Sequence, residues 1–80
     1  MTAVDDIRAA LKAADPVADG RERVLLVGCS AERAIWCEIK ALYQHPDPHL
    51  DGVPVRSTLE FDGWALRDVD EAGVWHEVGE

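Results

Sequence analysis

The sequence predicts a small α+β protein in which a helix, a strand and a second helix precede three strands. Apolar residues recur at helical spacing over residues 3–14 and 31–43. Four further runs have the length and composition of strands, and they cover residues 23–28, 55–61, 64–70 and 74–78. We therefore expect a single domain over residues 1–80, with a four-stranded sheet, a C-terminal antiparallel meander and both helices on one face.

The first predicted helix has a signal at each end and an apolar stripe between them. Thr2 is suited to cap its N-terminus. Val4, Ile7 and Leu11 fall on one face at helical spacing. Pro16 ends the helix, because the residue before a proline disfavours the helical region.

The run at residues 23–28 is apolar on both faces, which is typical of an interior strand or of one covered on both sides. A right-handed crossover through the second helix would make it parallel to the strand at 55–61. The antiparallel arrangement stays open, because residues 44–54 form a long connector with three prolines, which is expected to be irregular. Ser30 is expected to cap the second helix.

Two turns organise the predicted meander. The dipeptide Asp62-Gly63 predicts a two-residue hairpin turn between the second and third strands, because both residues accept positive φ. That register sets Phe61 opposite Trp64. Gly73 predicts the second turn, between the third and fourth strands.

The second turn predicts that Val69 lies opposite Trp75 and that Arg67 lies opposite Glu77. A four-residue loop, which shifts this pairing by one residue, is the alternative. We favour the first register because it gives an opposite-charge pair and apolar pairs across the strands.

Alternation along the meander separates a core face from a presented face. The residues expected on the core face are Val55, Leu59, Phe61, Trp64, Leu66, Val74 and Val78. The presented face is polar except for Val69 and Trp75. An aromatic side chain on a solvated face is a candidate for protein contacts, and cover by a terminus or a loop is the alternative for Trp75.

The charge of the chain is −8, and it is unevenly distributed. Residues 1–46 hold seven acids and six bases, whereas residues 47–80 hold nine acids and two bases, so the second part carries −7. Such a field repels nucleic acid and attracts basic surfaces. We expect a protein partner with a basic surface and no direct binding of nucleic acid.

The sequence predicts the cellular compartment and, from it, the state of the two cysteines. No apolar run approaches the roughly 18–20 residues that span a bilayer, and the first residues do not resemble a secretory signal. The expected location is therefore cytoplasmic, without a membrane partner. In that compartment, Cys29 and Cys37 are expected to be buried free thiols. The oligomeric state is not predicted.

Cys29 follows the first strand and lies at the start of the second helix, where a thiolate is stabilised. Together with Arg33 it resembles the phosphate loop of cysteine-dependent phosphatases. In that family five residues separate the nucleophile from the arginine, whereas three separate them here, and Glu32 opposes both thiolate and phosphate. A small cysteine-dependent enzyme that uses Cys29 and Arg33 is therefore an alternative function.

The connector contains residue types that bind metal ions, and these are His45, Asp47, His49 and Asp51. Two prolines hold this segment extended and spread its side chains, and no cysteine lies nearby in the sequence. We expect a solvated connector, with no metal and no other cofactor.

Ser57, Asp68 and His76 fall in one cross-strand row of the predicted meander, and they are the residue types of a hydrolase triad. A triad needs its base between the nucleophile and the acid, whereas the aspartate occupies the middle strand here. We expect instead a polar end of the core with Asp68 hydrogen-bonded to His76, and we predict no catalytic residue.

The leading functional prediction is a small acidic inhibitor that docks an acidic sheet face on a basic surface of a partner, such as a nucleic-acid-binding surface. By analogy of class, this suits anti-defence (anti-CRISPR-like) or toxin-immunity proteins of phages and bacteria. The predicted contact residues are Trp75, Val69, Asp70, Glu71, Glu77, Glu60 and Asp62. An accessory subunit of a larger assembly is a further alternative.

Overall fold

The computed structural model describes residues 2–78, and Met1, Gly79 and Glu80 lie outside the described residues. Its helices are α1 (Ala3–Ala13) and α2 (Cys29–Glu38), and a 3-10 turn (Lys40–Gln44) follows α2. Its strands are β1 (Arg21–Val27), β2 (His49–Leu50), β3 (Val53–Ser57), β4 (Trp64–Asp70) and β5 (Trp75–Glu77). The α+β class is confirmed. Within residues 2–78, neither helix is long and apolar enough to cross a membrane.

The strands of the described chain form a mixed five-stranded sheet in the order β2-β3-β1-β4-β5. β1 lies at the centre, where it is parallel to β3 and antiparallel to β4. The parallel pairing that a helical crossover predicts is therefore confirmed. The edge strands β2 and β5 have two and three residues, and such short edges offer little backbone for unwanted pairing.

The sheet has five strands rather than the four predicted, and the predicted hairpin at Asp62-Gly63 is wrong. β1 lies between β3 and β4, with Leu25 opposite Val55 on one side and opposite Leu66 on the other. A buried strand needs hydrogen-bond partners for its backbone on both edges. The central position of β1 supplies both, whereas a hairpin of β3 with β4 would leave one edge of β1 unpaired.

The additional strand β2 comes from the proline-rich connector. Asp51 and Gly52 have φ angles of 51° and 81° and form the two-residue turn between β2 and β3. Such a turn requires positive φ at both central residues, which Asp-Gly accepts readily. The same dipeptide signal that is wrong at Asp62-Gly63 is therefore correct at Asp51-Gly52.

The hairpin of β4 and β5 has the predicted register. Val69 lies opposite Trp75, and Arg67 lies opposite Glu77. Gly73 takes a φ of 83° in the turn, a left-handed conformation that glycine adopts without a steric penalty. β5 covers only Trp75–Glu77 and is shorter than the predicted strand at 74–78.

The helices differ from prediction mainly at the start and end of α2. The side chain of Thr2 accepts a hydrogen bond from the Asp5 amide at 3.1 Å and caps α1 as predicted. In contrast, α2 begins after Gly28 without a side-chain cap, so the predicted cap at Ser30 is wrong. The Ala31 amide donates to the carbonyl of Asp62 at 3.1 Å, and this contact from the loop serves in its place.

Both helices build one core with a single face of the sheet. The buried apolar residues of this core are Val4, Ile7, Leu25, Val27, Ala31, Ile35, Leu42, Leu50 and Val55. Trp64 and Leu66 pack against it as predicted. Leu59 and Val74 are exposed instead of facing the core, because they lie in the loop before β4 and in the turn before β5.

The loop at residues 58–63 crosses the C-terminal end of β1 at Gly28. The Thr58 amide donates to the Val27 carbonyl at 2.9 Å, and the Gly28 amide donates to the Gly63 carbonyl at 2.7 Å. A Cβ atom at residue 28 would lie 1.9 Å from the carbonyl oxygen of Phe61. The loop can therefore take this path only because residue 28 has no side chain.

A bidentate ion pair joins β1 to β4. Arg23 Nε donates to Asp68 Oδ1 at 2.9 Å, and Arg23 Nη2 donates to Oδ2 at 3.3 Å. The two residues are directly opposite each other, and their side chains are 9% and 3% exposed. Each charge is thus buried against the other, so that removing one leaves the other without compensation.

We predict that Gly28→Ala lowers the free energy of unfolding by about 3 kcal/mol, because the new methyl group meets loop backbone. Urea unfolding measures the change. Gly63→Ala is the matched control, because no atom lies within 4 Å of its added Cβ and its cost should stay below about 0.5 kcal/mol. Equal stability of the Gly28→Ala protein and the wild type would contradict the crossing of the loop at Gly28.

We predict that Asp68→Ala lowers the free energy of unfolding by about 3–5 kcal/mol, because it leaves the buried Arg23 guanidinium without a partner charge. Asp47→Ala is the control, since Asp47 pairs with Arg56 at 3.0 Å on the surface and its loss should cost less than about 1 kcal/mol. Thermal and urea unfolding of both variants provide the comparison. Similar losses for the two variants would show that the β1–β4 pair is not buried.

Candidate functional site

The candidate site lies on the face of the sheet opposite the helices, which we call the open face. Side chains alternate along a strand, so the neighbours of the core-facing residues project from this side. The open face comprises Glu22, Val24, Leu26, Arg56, Ala65, Arg67, Val69, Trp75 and Glu77. Val24, Leu26 and Val69 accordingly lie outside the core that the helices form. This is the side of the sheet that the described helices leave to solvent.

Trp75 is the most prominent apolar group of the open face. Its side chain is 49% exposed, although it lies opposite the partly buried Val69. The alternative that the described chain covers Trp75 is therefore wrong. The structure brings Trp75, Val69 and Glu77 together on one surface, as the sequence predicts.

A shallow hollow of about 240 Å³ lies beside Trp75 on the open face. The residues that line it are Leu26, Ser57, Thr58, Glu60, Arg67 and Trp75. Leu26 and Trp75 supply its apolar surface, while the loop before β4 supplies Thr58 and Glu60. The hollow thus joins the sheet to that loop in a single concave surface.

The charges on the open face itself are balanced, which refines the prediction of an acidic sheet face. Two glutamates, Glu22 and Glu77, are accompanied by two arginines. Arg56 Nη1 donates to the Val55 carbonyl at 3.0 Å, and Arg67 Nη1 donates to the Leu66 carbonyl at 2.8 Å. These bonds fold both side chains back onto the sheet. The face alone therefore does not carry the acidic excess.

The acidic excess of the predicted contact residues lies at the two ends of β4. Glu60 and Asp62 belong to the loop that precedes β4, whereas Asp70 is the last residue of β4 and Glu71 begins the turn that follows it. The Glu60 amide donates to Thr58 Oγ1 at 3.2 Å, whereas its carboxylate takes part in no ion pair within residues 2–78. Carboxylates therefore flank a more neutral centre around Trp75.

Asp70 has a structural task in this arrangement. Its Oδ1 accepts hydrogen bonds from the amides of Ala72 and Val74, each at 2.9 Å, and its Oδ2 lies 2.8 Å from His76 Nε2. The hydrogen bond with His76, followed by those from the Val74 and Ala72 amides, lowers the pKa of Asp70. Asp70 therefore stays ionised and organises the turn that positions Trp75.

The predicted row of Ser57, Asp68 and His76 does not form a triad. β1 separates Ser57 from the other two residues. The three side chains bond to different partners: Ser57 to Glu32, Asp68 to Arg23, and His76 to Asp70. The predicted bond between Asp68 and His76 is therefore wrong, although the two residues are opposite each other in the register.

The expectation of buried thiols is wrong. Cys29 and Cys37 are both free and exposed, because they lie on the side of α2 that faces away from the core. Cys29 and Arg33 share a second hollow, of about 350 Å³, with Trp36 and Tyr43. The Tyr43 hydroxyl has no hydrogen-bond partner among residues 2–78, and burial together with the charge of Glu32 raises the pKa of Tyr43 to about 12.

Two of the backbone donors near Cys29 are already occupied by the crossing loop. The amides of Gly28 and Ala31 already donate to the carbonyls of Gly63 and Asp62. A phosphate at the start of α2 would have to displace the loop to reach those N–H groups. The loop thus competes with a phosphate for two of the amides that the phosphatase hypothesis would use.

Three of the candidate metal ligands in the connector, Asp47, His49 and Asp51, contact other groups. His49 Nδ1 lies 2.9 Å from the Asp47 carbonyl oxygen, and Asp47 pairs with Arg56. Asp51 pairs with Arg8 at 3.3 Å. In the part of the chain from residue 2 to residue 78, no group of three or more His, Cys, Asp or Glu side chains is arranged to hold a metal ion.

Leu26 and Leu59 are surface residues that the sequence did not indicate. Leu26 lines the hollow, and Leu59 is fully exposed in the adjoining loop. Apolar alternation assigns Leu59 to the core, and only the insertion of β1 between β3 and β4 reveals that it lies in a loop. No local signal in the sequence identifies either residue as a contact candidate.

No protein-family model, curated protein sequence or solved structure matches the chain. A functional assignment must therefore come from the geometry and charge of the described surfaces themselves.

Proposed function

We propose that this protein is a small binding domain that docks its open face on a basic surface of a partner protein. The observation that carries the proposal is the half-exposed Trp75, which lies beside Val69 and Leu26 on the helix-free side of the sheet. Protein interfaces are enriched in tryptophan, with an apolar centre inside a charged rim. The open face has this composition.

Charge decides which kind of partner fits. A chain of net charge −8 repels a second copy of itself and attracts a basic surface. Glu60 and Asp62 at one end of β4 and Glu71 at the other would face basic groups around the apolar centre. Such complementary charge speeds association and makes it sensitive to salt, while the desolvated tryptophan contributes most of the affinity.

The proposed class is a cytoplasmic inhibitor of a protein that itself binds nucleic acid. Carboxylates at the ends of β4 would occupy positions that phosphates occupy in the partner's natural ligand, and the partner's basic groups would be neutralised. An anti-defence (anti-CRISPR-like) or toxin-immunity role of phage or bacterial type is the analogue at the level of class. An accessory-subunit role uses the same face and differs in the permanence of the complex.

The cysteine-dependent enzyme has less support as a second candidate. Cys29 is exposed, and it shares a hollow with Arg33, which favours reactivity. However, the loop carbonyls that accept from Gly28 and Ala31 remove two donors that phosphate chemistry would use. The open face therefore carries the leading proposal.

The test is an affinity capture from host lysate at low and high salt, with wild-type protein, Trp75→Ala and Trp36→Ala. Trp36 is the matched control, because it is 47% exposed but lies on α2. We expect Trp75→Ala to weaken capture of a specific basic protein at least about 30-fold, as the loss of an interface tryptophan does. Trp36→Ala should leave that capture unchanged, and high salt should reduce it.

Circular dichroism and urea unfolding of both variants would establish that they remain folded. Capture that survives Trp75→Ala and is lost with Trp36→Ala would move the binding surface to α2 and contradict the proposal. Failure of the wild type to retain any basic protein at low salt would contradict it as well.

A further inference from the structure

We propose that the hollow beside Trp75 is a socket for one basic side chain, an arginine or a lysine, of the partner protein. This inference rests on the proposed function and specifies the chemistry of the anchor. The volume of about 240 Å³ is below the roughly 300–1,000 Å³ of pockets for drug-sized ligands. It suits a single long side chain that enters from a protein surface.

The apolar part of the hollow matches the stem of such a side chain. Leu26 and Trp75 line it, and the methylene groups of arginine or lysine pack favourably against surfaces of this kind. The half-exposed indole also attracts a cation to the face of its ring, and this attraction strengthens when the contact is partly desolvated. The methylene stem and the charged group of the incoming side chain would therefore both be stabilised by Trp75.

Glu60 supplies the charge that selects a cation. It lines the hollow, and its carboxylate takes part in no ion pair with another residue between 2 and 78. The backbone that carries it is held by the bond of the Glu60 amide to Thr58 Oγ1 at 3.2 Å and by the bond of the Thr58 amide to the Val27 carbonyl at 2.9 Å. Because this backbone is already held, binding has to order the side chain of Glu60 and not the loop.

Arg67 also lines the hollow, and its charge opposes a basic guest. One hydrogen bond and one acidic cross-strand neighbour reduce that opposition. Arg67 Nη1 donates to the Leu66 carbonyl at 2.8 Å, and Glu77 is the cross-strand neighbour of Arg67. Arg67 thus has an acidic neighbour, Glu77, whereas Glu60 has no cation paired with it within residues 2–78. The charge that is left uncompensated at the hollow is therefore negative.

The test is an NMR titration of the full chain with three blocked tripeptides: acetyl-Gly-Arg-Gly-amide, its citrulline analogue, and acetyl-Gly-Glu-Gly-amide. We expect the arginine peptide to shift the Trp75 indole and the Leu26 and Glu60 amides saturably, with millimolar affinity. Citrulline has nearly the same shape without the charge and should bind at least about fivefold more weakly. The indoles of Trp36 and Trp64 serve as internal references and should not shift.

Two variants with the same change in net charge make the test specific. Glu60→Gln should reduce the affinity for the arginine peptide to that for citrulline. Asp6→Asn, at an exposed position on α1, should leave it unchanged. An equal effect of both variants would mean that the affinity depends only on the net charge of the protein, and this result would overturn the socket.

Preference for the glutamate peptide, or no saturable shift at Trp75, would also overturn the socket. These failures differ from failure of the proposed function. If Trp75→Ala still abolishes capture of a basic protein while the peptides do not bind at the hollow, the open face remains the docking surface and the socket alone is wrong.

Discussion

The pairing of β1 on both of its edges is the constraint on which the rest of the structure depends. Its run of apolar residues is buried, and its backbone obtains partners from β3 on one side and β4 on the other. Because β3 and β4 are consecutive, the chain between them has to cross the end of β1. It does so over Gly28, where a side chain would collide with the carbonyl of Phe61. One glycine thus makes the strand order possible.

This strand order also determines which surface is available. Both helices contribute to a core on one side of β1, and on the opposite side, which the described helices do not cover, Leu26 and Val69 are partly exposed. The crossing loop brings Thr58 and Glu60 to the rim of that side, and the hairpin of β4 and β5 brings Trp75. The candidate site is therefore composed of segments distant in sequence, and it exists only in the folded sheet.

Short sequence signals correctly predicted those features that depend only on neighbouring residues, such as the register of a hairpin. Gly73 is enough to set Trp75 opposite Val69, because a short turn fixes the register of its own hairpin. Asp62-Gly63 gave a wrong prediction, because a turn dipeptide carries no information about whether a distant strand, here β1, lies between the two strands that it connects. For the same reason, the pair of Arg23 and Asp68, which are 45 residues apart, could not be inferred. The loop exposure of Leu59 follows from the same insertion.

The central claim is that the open face, and not the helical side, meets the partner. Amide hydrogen exchange of the protein, free and in its isolated complex, tests this claim most directly. The account predicts slower exchange on binding in β4, in β5 and in the loop at residues 58–63, with little change in α1 and α2. Protection confined to α1 and α2, with unchanged exchange in β4, β5 and the loop, would contradict it.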